Sequence, residues 1–169
     1  ARKPALWSLN RIPGKPARSA VRSFLKDEDS GVRAAAIHSA ALWLDAGAVE
    51  PLVGFLDSGD VRERRLAAMA LGRIGDRRAV KPLLKAGLAP ADAFLKHANT
   101  YALYEIGDES LPVDHPLTKQ VGLMRKVDQR SPSKYVMPEI QLADAVKPDA
   151  AKEARQAKRL DQLAEFLPK

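Results

Sequence analysis

Apolar side chains recur every three or four residues through the first two thirds of the chain, which is the spacing of one face of an α-helix. In the stretch VRAAAIHSAALWL, the apolar positions that share a face are Val32, Ala36, Ile37, Ala40, Ala41 and Leu44. Asp29 and Ser30 precede this stretch and are predicted to cap the helix, because both side chains can accept hydrogen bonds from first-turn amides. Gly47 is predicted to end it.

A second helix of the same kind is predicted between Asp60 and Gly75. The residues that trace one face of this helix are Val61, Arg65, Leu66, Met69, Ala70 and Ile74. Each of these helices is followed by a short apolar stretch, AVEPLV from Ala48 and AVKPLL from Ala79. The proline in each stretch fits the first turn of a helix, where amides have no intrahelical acceptor. Each stretch is therefore predicted to start a second, shorter helix.

These paired helices form a repeated unit, because similar stretches return at similar intervals. AVRSFL from Ala20 precedes AVEPLV and AVKPLL, and the IGD at 74–76 returns at 106–108. Aligning Val32-Arg33 with Val61-Arg62 gives a period two residues shorter than aligning Ala48 with Ala79, and the difference is assigned to the turn between the helices. A period near thirty residues with two helices per unit predicts an all-α fold, an α-solenoid of helical hairpins.

The repeat pattern stops after Asp108. One more helix is predicted over residues 117–128, where apolar residues are spaced four, three and three apart. Prolines beyond it make residues 130–148 an extended strap. The predicted organisation is a solenoid over residues 1–128 and a proline-rich extension with a terminal helix over 129–169.

The terminal helix is predicted over residues 150–167 and is amphipathic. Its apolar stripe consists of Ala150, Ala154, Ala157, Leu160, Ala164 and Leu167. Such a helix either covers the exposed end of the solenoid or docks on another chain.

The pattern VR..AA.ALG.IGD..AV.PL resembles the short HEAT-like repeats of phycobilisome lyases. The residues that carry the resemblance are Val61, Arg62, Ala67, Ala68, Ala70, Leu71, Gly72, Ile74, Gly75, Asp76, Ala79, Val80, Pro82 and Leu83. The resemblance covers about residues 5–108 and implies that Arg33, Arg62 and Asp76 tie neighbouring repeats together. It implies little about activity, because such repeats serve many scaffolds.

A narrower resemblance joins GRIGDRRAVKPLL and DAFLKHANTYALYEIGD to the HEAT segment of large secreted planctomycete proteins described as membrane-bound dehydrogenases or haem-binding proteins. It implies a cytochrome-associated chain in a redox or haem-containing multi-subunit complex, located in the periplasm or secreted. The alternative location is the soluble cytoplasm. The chain has no cysteine, so it cannot carry the Cys-x-x-Cys-His haem site of those proteins, and only the connector segment is implied.

Composition agrees with packed helices, since 46% of residues are hydrophobic, 29% are charged and only 5% are aromatic. The absence of cysteine excludes disulfides, thiolate metal sites and cysteine nucleophiles. No apolar run approaches the ~18 residues that span a bilayer. The chain opens on Ala1 without a methionine, so it is expected to be a processed product or a piece of a longer protein.

No arrangement of residues predicts catalysis or a bound cofactor. His38, His97 and His115 lie too far apart in the sequence for a local metal site. There is no Gly-x-Ser-x-Gly turn, and the acidic residues 27–29 belong to a polar turn. The chain is therefore predicted to be a non-enzyme without cofactor or metal.

The net charge of +7 directs attention to basic residues as the candidate binding groups. The predicted partner-binding residues are Arg62, Arg65, Arg73, Arg77, Arg78, Lys81 and Lys85. Glu63 and Asp76 interrupt this cluster and no aromatic platform accompanies it, which favours a protein partner over nucleic acid. The predicted function is a non-catalytic scaffold in a larger assembly, with a haem-associated connector and a nucleic-acid-binding solenoid as alternatives. The predicted binding surface is the second helices, over residues 20–26, 48–56 and 79–88.

Overall fold

The computed structural model describes residues 2–58, 60–88 and 93–130, which form helices and turns and no strand. The α-helices are α1 (Arg2–Leu9), α2 (Lys15–Ser23), α3 (Ser30–Leu42), α4 (Val49–Leu56), α5 (Val61–Ile74), α6 (Val80–Leu88), α7 (Ala93–Ile106) and α8 (Pro116–Arg130). Short 3-10 turns cover Phe24–Lys26, Ala46–Ala48 and Arg77–Ala79. The predicted strap beyond Arg130 and the predicted terminal helix lie outside the described residues.

The helices stack in two layers. In the first layer α1 packs on α3, α3 on α5 and α5 on α7. In the second layer α4 packs on α6, and Leu117 of α8 lies against Gly87 of α6. The layers are joined by the contacts of α2 with α3, α4 with α5, α6 with α7 and α7 with α8. The predicted all-α solenoid of helical hairpins is confirmed.

The core runs continuously between the layers and is built from leucine and small residues. Leu52, Leu71, Leu83, Leu103 and Leu117 are fully buried. Alanines fill the closest approaches between helices, where a larger side chain would hold the axes apart. The alanine-rich composition thus serves a helix stack with short interaxial distances.

Aspartates cap the first helices and define the repeat length. Asp29 Oδ1 accepts from the amides of Gly31 at 2.7 Å and Val32 at 3.2 Å, and these amides lower the pKa of Asp29. Asp60 Oδ1 accepts in the same way from the amides of Arg62 at 2.8 Å and Glu63 at 3.4 Å. Asp60 follows Asp29 by the same interval by which Ala79 follows Ala48. The first helices and the second helices therefore share one period.

The alignment of the two Val-Arg pairs is wrong. Val32 is buried, whereas Val61 is exposed, and Glu63 occupies the buried position that corresponds to Val32. A shift of two residues rotates a helix face by about 200°. The predicted face of α5 is therefore wrong in part: Val61 and Met69 are exposed, whereas Ala70 is buried. Ala67 is fully buried although it was not assigned to that face.

The helix α2, which is the first helix of the second layer, also begins earlier than predicted. It starts at Lys15, and residues 20–26 form only its end and the following 3-10 turn. Ala17, Ala48 and Ala79 are all fully buried and are separated by equal intervals in the chain. Ala17 is thus the residue equivalent to Ala48. Equivalent positions are those buried at the contact between the layers, and they do not always carry the Ala-Val pair.

The ends of the first helices lie at positions with a left-handed backbone. Gly75 has φ 73° and Gly107 has φ 70°, whereas the equivalent residue after α3 is Leu44, with φ 49°. A side chain in this conformation costs about 1–2 kcal/mol. Leu44 is 56% exposed in this turn and is not a core residue as predicted. Gly47, the predicted helix end, lies inside the Ala46–Ala48 turn.

The remaining predicted helices agree with the structure. Pro51 and Pro82 are the third residues of α4 and α6, where a missing amide hydrogen leaves no intrahelical bond unmade. The helix predicted over 117–128 is α8, whose Leu117 and Val121 are buried. His115 Nδ1 accepts a hydrogen bond from the Leu117 amide and thereby caps α8.

Candidate interaction surfaces

One charged contact joins the second and third hairpins across the stack. Arg33 Nε and Nη2 lie 2.7 and 2.6 Å from Glu63 Oε1, and Arg33 Nη1 donates to the carbonyls of Asp27 and Glu28 at 2.8 Å each. The predicted structural role of Arg33 is confirmed. Arg62 makes no such tie, because its side chain is exposed and the repeat period brings Glu63 opposite Arg33.

The aspartates that follow the first helices form a second series of contacts. Arg22 Nη1 donates to both carboxylate oxygens of Asp45, at 2.8 and 3.0 Å. Hydrogen bonds from the Arg78 guanidinium and amide lower the pKa of Asp76, and Arg78 also donates to the Ala46 carbonyl of the preceding repeat at 3.0 Å. These contacts set the position of each hairpin relative to the previous one.

The seven basic residues predicted to bind a partner are divided between the layers. Arg62, Arg65 and Arg73 belong to α5, whereas Lys81 and Lys85 belong to α6 and line an open groove of about 430 Å³ beside α4. Arg77 and Arg78 lie in the turn between these helices. Carboxylates accompany some of these cations: Lys85 lies 3.3 Å from Asp57, Arg77 lies 4.0 Å from Asp108, and Arg78 lies 2.7 Å from Asp76.

A row of exposed side chains crosses the first layer. Its members are Trp7, His38, Met69 and Tyr101, one on each of α1, α3, α5 and α7. Their spacing in the chain follows the repeat period to within one residue, so they occupy the same position in successive repeats. Trp7 and Met69 are each 49% exposed and Tyr101 is 40% exposed. We call these four residues the first-helix row.

Met69 and Tyr101 of the row border an open groove of about 520 Å³ between α5 and α7. The groove is lined by Arg65, Met69, Phe94, His97 and Tyr101, with Leu66 and Ala98 at its floor. The rings of His97 and Tyr101 stack with centroids 6.2 Å apart, and Phe94 is 74% exposed. We call this the α5–α7 groove.

A second open groove, of about 590 Å³, lies between α7 and α8 and shares Tyr101 with the first. It is lined by Tyr101, Tyr104, Leu123, Met124, Val127 and Asp128, and we call it the end groove. Asp128 accepts a hydrogen bond from the Tyr104 hydroxyl, which raises the pKa of Tyr104. Apolar surface therefore continues from α5 to the last described helix.

These surfaces are not among the sequence-based predictions, because Met69 was assigned to a helix face in the core and equivalent positions were not compared across repeats. In the second layer, α2, α4 and α6 expose one large apolar residue among their described residues, Leu88. The surface predicted to bind a partner thus exposes fewer large apolar side chains than the described helices of the first layer. Lining up positions 7, 38, 69 and 101 in the sequence would have revealed the row.

A small polar cavity of about 180 Å³ lies where α4, α5, α6 and α7 meet. Asn99 is fully buried beside it, and neither polar atom of its amide has a hydrogen-bond partner among the described residues. Arg64 Nε lies against the same cavity without a partner in this part of the structure. The residues of α3 and α5 that are equivalent to Asn99 are the buried alanines Ala36 and Ala67.

We expect Asn99→Ala to raise the free energy of unfolding by about 1 kcal/mol, because a buried amide without partners costs about 1–3 kcal/mol. Urea unfolding measures this change. The matched control is Thr100→Val, which should lower stability by about 1 kcal/mol, since the Thr100 hydroxyl bonds the Lys96 carbonyl and Gln120. Equal losses in both variants would contradict the prediction and indicate that water in the cavity satisfies the Asn99 amide.

Two other kinds of site have no counterpart in the part of the chain that the structure describes. Its residues include no group of three or more His, Asp or Glu side chains arranged to hold a metal ion. None of its helices has the length and apolar character needed to cross a membrane.

The repeated hairpins, their common period and the ion pairs between repeats together define an α-solenoid of stacked helical hairpins. A family model for HEAT repeats matches residues 19–104, which is just over half of the chain. The chain belongs to the HEAT-repeat family. No curated protein matches the sequence, and no finding supports the narrower resemblance to planctomycete dehydrogenase segments.

Proposed function

We propose that this chain is a non-catalytic protein–protein interaction scaffold within a larger assembly, and that it contacts its partner through the first-helix row and the α5–α7 groove. HEAT repeats commonly mediate such scaffolding and are typically non-catalytic. The observation that carries the proposal is the repetition of Trp7, His38, Met69 and Tyr101 at one exposed position of four successive first helices.

The residue types of this surface suit a protein partner. Tyrosine, tryptophan, methionine and arginine are enriched in the energetically important centres of protein interfaces. Met69 and Tyr101 border the α5–α7 groove with Arg65 at its edge. The α3 and α5 helices, which carry His38 and Met69, are packed between neighbouring first helices on both sides, so little conformational entropy is lost there when a partner binds.

The spacing of the row suggests how a partner crosses it. Packed helices lie about 8–10 Å apart, and one three-residue turn of a polyproline II segment rises about 9 Å. A partner segment in the polyproline II conformation could therefore place every third side chain against a successive first helix. Apolar side chains at those positions would match Trp7, Met69 and Tyr101.

The contacts of the predicted basic residues do not favour the nucleic-acid-binding alternative. The seven basic residues belong to both layers and three have carboxylates within 4.0 Å, which weakens the case for a continuous phosphate-binding surface. The haem-associated connector and the periplasmic or secreted location remain predictions from the narrower resemblance.

We expect Met69→Glu to reduce recovery of the native partner at least about ten-fold, because a charge in a desolvated apolar contact costs more than about 1.4 kcal/mol. The measurement is quantitative co-purification of the partner chain with the natural protein and its variants. The matched control is Leu88→Glu, which makes the same change at an exposed position of the second layer. It should leave recovery unchanged.

Loss of the partner in Leu88→Glu but not in Met69→Glu would contradict the proposed surface and support the second helices instead. Salt-dependent binding of the natural protein to duplex DNA at moderate ionic strength would contradict the proposed class of partner.

A further inference from the structure

The last described first helix differs from the others on the face where the next repeat would pack. Equivalent positions of α3, α5 and α7 are Ala41, Gly72 and Tyr104. Ala41 and Gly72 are buried, and Gly72 admits α7 so closely that a Cβ there would lie 2.6 Å from Ala102 Cα. Tyr104 on α7 leaves no room for another first helix at that distance. This face of α7 therefore does not fit a further identical repeat.

The face is nevertheless apolar and open. Leu123 and Val127 are 63% and 65% exposed, and they lie one turn apart on α8 beside the end groove. Terminal units of solenoids need a cover for the surface that a neighbouring repeat would otherwise bury. The end groove between α7 and α8 has the open volume, about 590 Å³, to accept apolar side chains from such a cover.

The chain itself contains a segment suited to this role. Residues 150–167 lie outside the described residues, and their sequence carries an apolar stripe at helical spacing, centred on Leu160 and extended by Leu163. Nineteen residues separate Arg130 from Ala150 and can span up to about 60 Å when extended. The α8 helix is only about 22 Å long. The connecting residues can thus return the segment along the full length of the end groove.

We infer that residues 150–167 of this chain dock as a helix in the end groove and cap the solenoid, with Leu160 packed against Leu123 and Val127. The cap uses a surface next to the first-helix row and leaves Trp7, His38 and Met69 exposed. The inference does not depend on the proposed partner surface. Its test measures contact between two parts of the chain and does not measure recovery of a partner.

The 169-residue chain contains no cysteine, so disulfide cross-linking between introduced cysteines is a direct test in this chain. Val127→Cys would be combined in turn with Ala157→Cys, Leu160→Cys and Ala164→Cys, which lie on the stripe. The matched control is Val127→Cys with Gln162→Cys, on the opposite face of the predicted helix. A distance control is His38→Cys with Leu160→Cys. The measurement is the rate of intramolecular disulfide formation under mild oxidation.

We expect at least one stripe pair to cross-link about ten-fold faster than both controls, because docking raises the effective concentration of one thiol near the other. The rate should not depend on protein concentration. Adding Leu160→Glu to the Val127→Cys and Ala157→Cys pair should remove the excess rate, while the helical circular dichroism of α1–α8 is retained.

Two results would overturn the inference. Equal rates for the stripe pairs and the Gln162 pair would show that the segment does not dock through its apolar face. Cross-linking that forms dimers and rises with protein concentration would show that the end groove receives a second copy of the chain.

Discussion

Gly72→Ala is expected to lower the free energy of unfolding by about 2 kcal/mol, although alanine normally stabilises a helix interior. The new Cβ would lie 2.6 Å from Ala102 Cα and 2.6 Å from Glu105 Oε2. The Ala102 contact is with backbone and cannot be relieved by a rotamer change. The α5 and α7 helices would have to separate, which also widens the α5–α7 groove. Urea unfolding with an unchanged m-value would measure the loss.

Gly54→Ala is the matched control, because Gly54 is an exposed glycine inside α4 and nothing lies within 4 Å of the added Cβ. There alanine should raise stability by about 0.5–1 kcal/mol through helix propensity alone. Similar gains at both glycines would mean that α5 and α7 are not in close contact at Gly72.

Arg33→Ala is expected to lower the free energy of unfolding by about 3 kcal/mol. It removes both contacts with Glu63 and the hydrogen bonds to the Asp27 and Glu28 carbonyls. The Glu63 side chain is only 6% exposed, so its carboxylate would be left buried without its cation, and this is the costly way to break such a pair. Thermal and urea unfolding measure the loss.

Arg62→Ala provides the comparison, since Arg62 is exposed and its removal should change stability by no more than about 0.5 kcal/mol. A double variant, Arg33→Met with Glu63→Leu, should recover most of the loss because it removes both charges together. Equal effects of Arg33→Ala and Arg62→Ala would contradict the assigned tie between repeats.

Both predictions concern the joint between neighbouring hairpins, which is where stability and function meet in a solenoid. Each hairpin contacts mainly its neighbours, so stability is a sum of units and joints. The same joints determine the distances between Trp7, His38, Met69 and Tyr101. A loosened joint should therefore weaken partner binding even when the exposed residues are unchanged.

The sequence was sufficient for the helical hairpins and their order. Local backbone requirements explain the positions of Pro51, Pro82, Gly75 and Gly107. Such requirements can be recognised in the sequence because they depend on adjacent residues. The second helices from Ala48 and Ala79 and the helix α8 were predicted for the same reason. The HEAT-repeat family follows from this local pattern.

The exposed first-helix row was harder to predict from the sequence. In an alanine-rich helix many faces look equally apolar, so a two-residue error in alignment assigned the exposed Val61 and Met69 to the buried face of α5. Glu63 was assigned to an interrupted basic cluster, yet it is buried and bound to Arg33 from the preceding repeat. Contacts between residues in different repeats cannot be recognised from the spacing of apolar residues within one helix.

The sequence by itself determined the class of fold: two helices per unit, a period near thirty residues, and proline and glycine at the helix ends. These are local properties of the backbone. The tertiary structure alone decided which side of each helix is covered, because that depends on which neighbours approach closely enough to exclude water. It thereby assigned Met69 and Tyr101 to an exposed apolar row, divided the basic residues between two layers, and left the end groove beside Tyr104 open.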